Sequence, residues 1–164
     1  MSSIEKFKEC MRTLPTGVTV ITTESTGGHK EGATINTIAS LSLSPLLIMF
    51  GIKKSSFFYK NFLDCKYFTV NILSESQQNV SDAFTKLNVK KWKTVTLLNT
   101  TTTNSPAIAG TLAFLECKNH KIYDGGDHSI MVGKVVNAVT LENKKPLVYF
   151  NSKYAKLQES HESI

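Results

Sequence analysis

Residues 110–123 (GTLAFLECKNHKIY) and 128–141 (HSIMVGKVVNAVTL) are two long β-forming runs joined only by Asp124-Gly125-Gly126-Asp127. A short Gly-rich link between such runs makes a hairpin, so the strands must pair antiparallel. The same grammar recurs along the chain. GVTVITTE (17–24) is rich in β-branched residues, and STGGHKEG (25–32) reads as the turn after it. ATINTIASLSLS (33–44) is β-branched in its first half and Ser-rich in its second. Leu46–Ile52, KYFTVNIL (66–73) and PLVYF (146–150) add further strands, for a total of about seven. Helices are few. Ser2 and Glu5 have capping-box spacing before Ile4, Phe7, Met11 and Leu14, predicting a helix over 3–13 that Pro15 and Gly17 stop. Ser74 and Gln77 predict a second, to about Lys86, and Ser55 is positioned to cap a short one through Phe57, Phe58 and Phe62. Segment 88–105 follows neither period. Strands joined by short turns, without βαβ alternation, imply a mainly β fold, an antiparallel barrel or sandwich with a few short flanking helices. No GxGxxG opens a helix and no GxxxxGK[ST] loop occurs, which argues against a parallel nucleotide-binding sheet.

The 164 residues, 41% of them hydrophobic, suffice for one domain spanning 1–164. Cys10, Cys65 and Cys117 are too few and too far apart for a disulfide scaffold or a zinc ribbon, and read as reduced packing residues. No CxxC, HxH or HExxH pair offers a metal site, and no GxSxG elbow a serine nucleophile. The longest clean apolar run, Leu46–Phe50, is far short of the roughly 20 residues of a membrane span. The expected location is cytoplasmic. The net charge of +6 implies an anionic partner: nucleic acid, a membrane surface or a phosphate-bearing small molecule. Only one of the 19 basic residues is arginine, whose planar fork reads base edges and phosphates, so most of this charge reads as solvated surface.

Three segments carry candidate chemistry. Thr34, Asn36, Thr37, Ser40, Ser42 and Ser44 crowd small polar groups into eleven residues. This suits a ligand rich in carbonyls, ring nitrogens and phosphate oxygens, and equally a Ser/Thr-rich edge strand. Lys53, Lys54, Ser55 and Ser56 precede a short helix, as in a phosphate cradle or a solvated helix cap. His128 stands at the DGGDH turn, open to a flat ligand beside the glycines or bonded as a turn residue to Asp124 or Asp127. His29 and His161 lie in polar segments, and His120 alternates with Glu116 and Lys118 on what reads as a solvent face. KKWK (90–93) has the basic-plus-aromatic look of a single-strand binder but too little of it.

RTLPTGVTVITT (12–23), GATINTIASLSLSPLLIMF (32–50), FTVNIL (68–73), GTLAFLEC (110–117), GDHSIMVGKV (126–135) and PLVYFNSKYAKL (146–157) occur in this order. Together they resemble the flavin reductase family, over residues 6–157. The resemblance implies an FMN-binding split barrel of Greek-key-like type, a homodimer, non-covalent FMN (or FAD), and NADH or NADPH as hydride donor. It implies reduced flavin for a separate monooxygenase component. By that likeness Thr34, Ile35, Asn36 and Thr37 lie against the flavin ring and ribityl chain, Ser40 and Ser42 along the tail, and Lys53, Ser55 and Ser56 near the phosphate. His128 faces the nicotinamide, and Tyr154 lies near the ring, from its own or the other subunit. The chain departs from the family where Phe58 replaces a common threonine and lysines replace arginine in the 53–54 loop. Two alternatives stand beside this reading. One is a flavoprotein that retains FMN and reduces ferric iron or another acceptor; the other is a non-catalytic basic barrel for ligands or nucleic acid.

Overall fold

The computed structural model describes residues 2–25, 27–86, 89–141 and 144–158, with Val89 described by its backbone alone. Its centre is a seven-stranded antiparallel sheet. The strands are β2 (Thr19–Glu24), β3 (Lys30–Ile35), β4 (Ile38–Leu43), β5 (Leu46–Lys53), β6 (Tyr67–Ile72), β9 (Ala113–Gly125) and β10 (His128–Thr140), in the order β3-β2-β6-β9-β10-β5-β4. β3 and β4 are the two edges, yet only Asn36 and Thr37 separate them in sequence. Two residues span at most about 7 Å, so the sheet must curl until its edges nearly meet. The result is a barrel with a seam at Asn36–Thr37. There Gly51 N donates to Thr37 O at 3.1 Å.

Short strands complete the fold. β1 (Thr16–Gly17), β11 (Val148–Phe150) and β12 (Lys153–Ala155) form a small sheet, and β7 (Leu97–Leu98) pairs with β8 (Ala107–Ile108). Of these only β11 is read from the sequence, within PLVYF; the others, two or three residues each, are too short for a periodicity to reveal. The segment read as 33–44 divides into β3 and β4. The helices are α1 (Ser3–Arg12), α2 (Tyr59–Asp64) and α3 (Gln78–Phe84), with 3-10 turns at Glu75–Gln77 and Val89–Thr94. Both predicted capping boxes form. The predicted Ser55 cap does not: α2 begins at Tyr59 behind Phe58, which makes no side-chain cap. Residues 53–58 instead form turns, in which Ser56 N donates to Lys53 O and Ser56 Oγ accepts from Phe58 N.

β2 is buried along almost its whole length, because its alternate residues serve two cores. Ile21 faces the barrel interior with Phe50, Phe62, Phe68 and Met131. Val20 faces outward, packing with Val80, Phe84, Ile108 and Leu147 under α3. Phe50 meets Phe68 and Phe62 edge to face, at centroid separations of 5.3 and 6.4 Å. The long hairpin of β9 and β10 turns in two residues, with Gly126 at φ +76°, where a side chain would be strained.

Two side chains, Glu116 and Cys10, differ from expectation. Glu116 is fully buried rather than on the solvent face, although Lys118 and His120 are exposed. The loop over 100–105 folds back on it, a long-range event with no local signature. Cys10 is exposed rather than packed, because α1 buries none of its residues against this chain; Cys117 is buried and Cys65 half-buried. KKWK does not present a stacking surface: Lys91 is buried and Trp92 packs edge-on against Phe84. His161 lies outside the described residues.

Candidate functional site

The seam gathers one group of the predicted residues. Thr37 Oγ1 lies 3.1 Å from both Gly51 N and Gly51 O, accepting from the first and donating to the second. β5 then runs to Lys53, which pairs in register with His128 at the start of β10. The His128 ring reaches back towards Gly51, with its Cδ2 3.9 Å from where a Cβ on that glycine would stand. Thr37 and His128 therefore meet at one glycine, with Lys53 two residues further along β5. Lys54 N donates to Asp127 O, and the Lys54 ammonium pairs with Asp124, so two contacts tie the 53–56 turn to the hairpin tip. The pairing holds Asp124 below and Lys54 above their ordinary pKa values.

His128 Nδ1 is 2.7 Å from Asp127 Oδ1. That hydrogen bond holds the Asp127 carboxyl below its usual range, so it is ionised at neutral pH and acts only as an acceptor. An accepting carboxylate places the ring proton on Nδ1 and leaves Nε2 as the nitrogen turned to a ligand. The turn reading of His128 holds, since it is bonded to Asp127, and the residue also sits at the seam.

A second group assembles around α3. Thr34 Oγ1 donates to Ser81 O at 2.7 Å, so its oxygen lone pairs remain to accept. Tyr154 Oη hydrogen-bonds Ser81 Oγ at 2.9 Å and Asp82 Oδ1 at 2.8 Å. Burial first, then Asp82, keeps the phenol pKa above its ordinary value and the proton in place. Ser81 thereby joins Thr34 to Tyr154. No sequence signal pairs a helix serine with a tyrosine 73 positions away. Ile35 O accepts from Thr19 Oγ1, and exposed Asn36 reaches Thr16 Oγ1 at 3.4 Å. Ser40 and Ser42 lie further along the β4 edge, where Ser42 Oγ accepts from Ser44 N. Among the described residues the Lys53 ammonium forms no ion pair, and the hydroxyls of Ser40 and Ser55 make no hydrogen bond. Lys53, Ser40 and Ser55 are open donors that could hold a polar, phosphate-bearing ligand.

An antiparallel sheet closed on itself at one seam defines a split barrel. A model of the flavin reductase like domain matches residues 11–158. The chain belongs to that family. It is 36% identical over 137 residues to the reductase component of a flavin-dependent trigonelline monooxygenase from Acinetobacter baylyi, covering 84% of this chain and 44% of that protein. This chain thus spans less than half the length of that relative. It is 33% identical to the reductase component of 4-hydroxyphenylacetate 3-monooxygenase from Thermus thermophilus, covering 93% of this chain and 96% of that one. The fold is similar to that of the NADH:FAD oxidoreductase SgcE6 of Streptomyces globisporus C-1027, solved in complex with NAD and FAD fragments. The TM-score is 0.91 at 27% identity, over 98% of this chain and 96% of the other. No helix among the described residues is long and apolar enough to cross a membrane.

Proposed function

We propose that the chain is a nicotinamide-dependent flavin reductase. It takes hydride from NADH or NADPH, passes it to non-covalent FMN or FAD, and supplies reduced flavin to a separate monooxygenase component. The observation that carries this reading is the meeting of Thr37 and His128 at Gly51 on the barrel seam, with Lys53 paired in register to His128, in a chain of this family. A bound flavin supplies the hydride acceptor that no amino-acid side chain provides. Lys53 and Ser55 would hold its phosphate, with Ser56 shaping the turn that carries them. Ser40 and Ser42 would meet the tail, and Thr34, Ile35, Asn36 and Thr37 the ring side, with Tyr154 closing that edge through Ser81. Because the Thr37 hydroxyl is pinned on both sides to Gly51, the seam is set before a ligand arrives, which lowers the cost of orientation. His128 presents Nε2 to the nicotinamide carboxamide while Asp127 holds the ring from behind. Its work is orientation, with proton transfer at Nε2 secondary.

The working form is a cytoplasmic homodimer. α1 carries an apolar stripe of Ile4, Phe7, Met11 and Leu14, yet none of its residues is buried in one chain. A ten-residue helix is marginal in water unless it packs its apolar face. Leu41, Leu43, Leu46 and Met49 expose a second apolar surface at the β4–β5 edge, with Leu43 82% accessible. A second copy of the chain covers both. The decisive experiment follows NADH and NADPH oxidation with added FMN, FAD and riboflavin. Flavin-dependent oxidation by one nicotinamide is expected; no oxidation with any flavin overturns the reading.

A further inference from the structure

Lys91 and Glu116 are the two buried charged side chains among the described residues. A buried ammonium is retained at a cost that a methionine would not incur, so what it touches indicates what it is for. Lys91 Nζ donates to Gly32 O at 2.9 Å and stands 3.7 Å from Glu31 Oε2. It lies over the Phe58 ring, 4.1 Å from the centroid, and 5.3 Å from that of Phe84. Glu31 in turn meets His29 Nε2 at 3.0 Å. One cation thus joins three elements: β3, α3 and the turn that follows β5.

Two of these contacts fall beside the residues assigned to the flavin. Gly32 precedes Thr34 by two positions. Phe58 ends the turn that starts at Lys53, and its N–H donates to Ser56 Oγ at 3.3 Å, while Ser56 N is bonded to Lys53 O at 2.9 Å. Phe58 itself is buried, whereas its neighbour Phe57 is 76% exposed and anchors nothing in this chain. The turn bearing the open donors Lys53 and Ser55 is therefore held from below by one ring, and that ring lies under one ammonium. A cation over a desolvated aromatic face is attracted by the ring quadrupole, with a preferred position that an apolar filler lacks.

We propose that Lys91 is a positioning residue for flavin phosphate, acting through the Phe58 ring to set the 53–56 turn against β3. It touches no ligand. The proposal rests on the reading that this turn receives the phosphate. It also gives a physical role to Phe58, where the chain departs from its family's pattern.

The test is binding, read by quenching of flavin fluorescence, with FMN and with riboflavin, which lacks the phosphate. The wild-type chain is expected to bind FMN more tightly than riboflavin. Lys91→Met should weaken FMN about fivefold or more and riboflavin less than about twofold, because only the phosphate contact depends on the turn. Lys91→Arg, which keeps the charge, should preserve most of the preference. Equal weakening of both flavins, or unchanged FMN affinity, overturns the role of Lys91. Should Lys91→Met fail to fold, Phe58→Leu keeps an apolar filler and the lysine but removes the ring. It should narrow the FMN preference in the same way, and an unchanged preference overturns the proposal. A wild-type chain that binds the two flavins equally overturns the phosphate reading of the turn itself, and the proposal with it. That outcome is distinguishable from a wild-type preference that survives in Lys91→Met, which refutes only the positioning role.

Discussion

Replacing Glu116 by glutamine should destabilise the fold by about 2 kcal/mol at neutral pH, and the reasoning runs through four hydrogen bonds. Glu116 Oε1 accepts from Thr102 N at 3.2 Å, Thr103 N at 2.7 Å and Thr103 Oγ1 at 2.9 Å, and Oε2 accepts from Asn137 Nδ2 at 2.7 Å. All four donors point at an acceptor-only group. A glutamine keeps its oxygen towards the loop only by turning its NH2 against the Asn137 amide. Asn137 must then flip, so that Thr101 Oγ1 donates across the 3.4 Å contact instead of accepting. Every bond survives but none is charge-assisted, a loss of about 1 kcal/mol apiece. Part is offset because a neutral amide is cheaper to bury. The sign follows from the carboxyl group: burial pushes its pKa up, yet the donors from Asn137, Thr103 and Thr102 outweigh burial and leave it below the ordinary value. Ionised Glu116 is therefore favoured by the fold. A depressed folded-state pKa contributes stability above the unfolded carboxyl value near 4.3, lost as pH falls through the folded value. Urea unfolding followed by the single Trp92 should show a lower midpoint with unchanged slope for Glu116→Gln at pH 7. The gap to wild type should close as pH drops below about 4. A variant as stable as wild type at pH 7, or a gap that acid leaves intact, refutes the account.

Four further outcomes are expected. Gly133→Ala places a Cβ 2.3 Å from Phe68 Cζ, in a fully buried ring packed against Phe50, and should cost about 1–3 kcal/mol in thermal unfolding. His128→Ala should slow flavin reduction roughly 10–100-fold in stopped-flow while leaving the melting temperature within about 2 °C, and unchanged turnover removes its assigned role. Phe7→Glu should shift the sedimentation coefficient to that of a monomer; an unshifted boundary argues that α1 is not the contact. Burial raises the thiols of Cys65 and Cys117 to about 11 and about 12, so a maleimide at pH 8 should label neither in the native protein and both in urea.

The architecture was largely legible because the signals that carry it are local. The DGGD turn, the capping boxes at Ser2 and Ser74 and the β-branched runs each act within a few residues. The capping boxes formed as read, whereas β9 runs on to Gly125, β3 starts at Lys30 within the segment read as a turn, and the 33–44 run breaks at Asn36–Thr37. Ser55 misled because a serine before a run of phenylalanines has cap-like spacing, whereas tertiary packing of Phe58 delays α2 to Tyr59. The candidate site was legible in part. Residues in one contiguous stretch, Thr34 to Ser42, were found together, as was the Asp127 partner of His128; the partners of the stretch were not, since Ser81 and Gly51 reach it only from α3 or across strands.

Sequence by itself determined most of the strands, their antiparallel pairing at hairpins and the crowding of small polar groups from Thr34 to Ser44. These follow from backbone preference and turn chemistry, which are properties of neighbouring residues. Only the tertiary structure decided that β3 and β4, two residues apart, would lie at opposite edges of one sheet and force it to close. That closure brings Thr37 to Gly51 and His128, and burial of the loops behind it makes Lys91 and Glu116 internal charges. Burial of a charge depends on what folds over it from a distance, and no local pattern of residues encodes that.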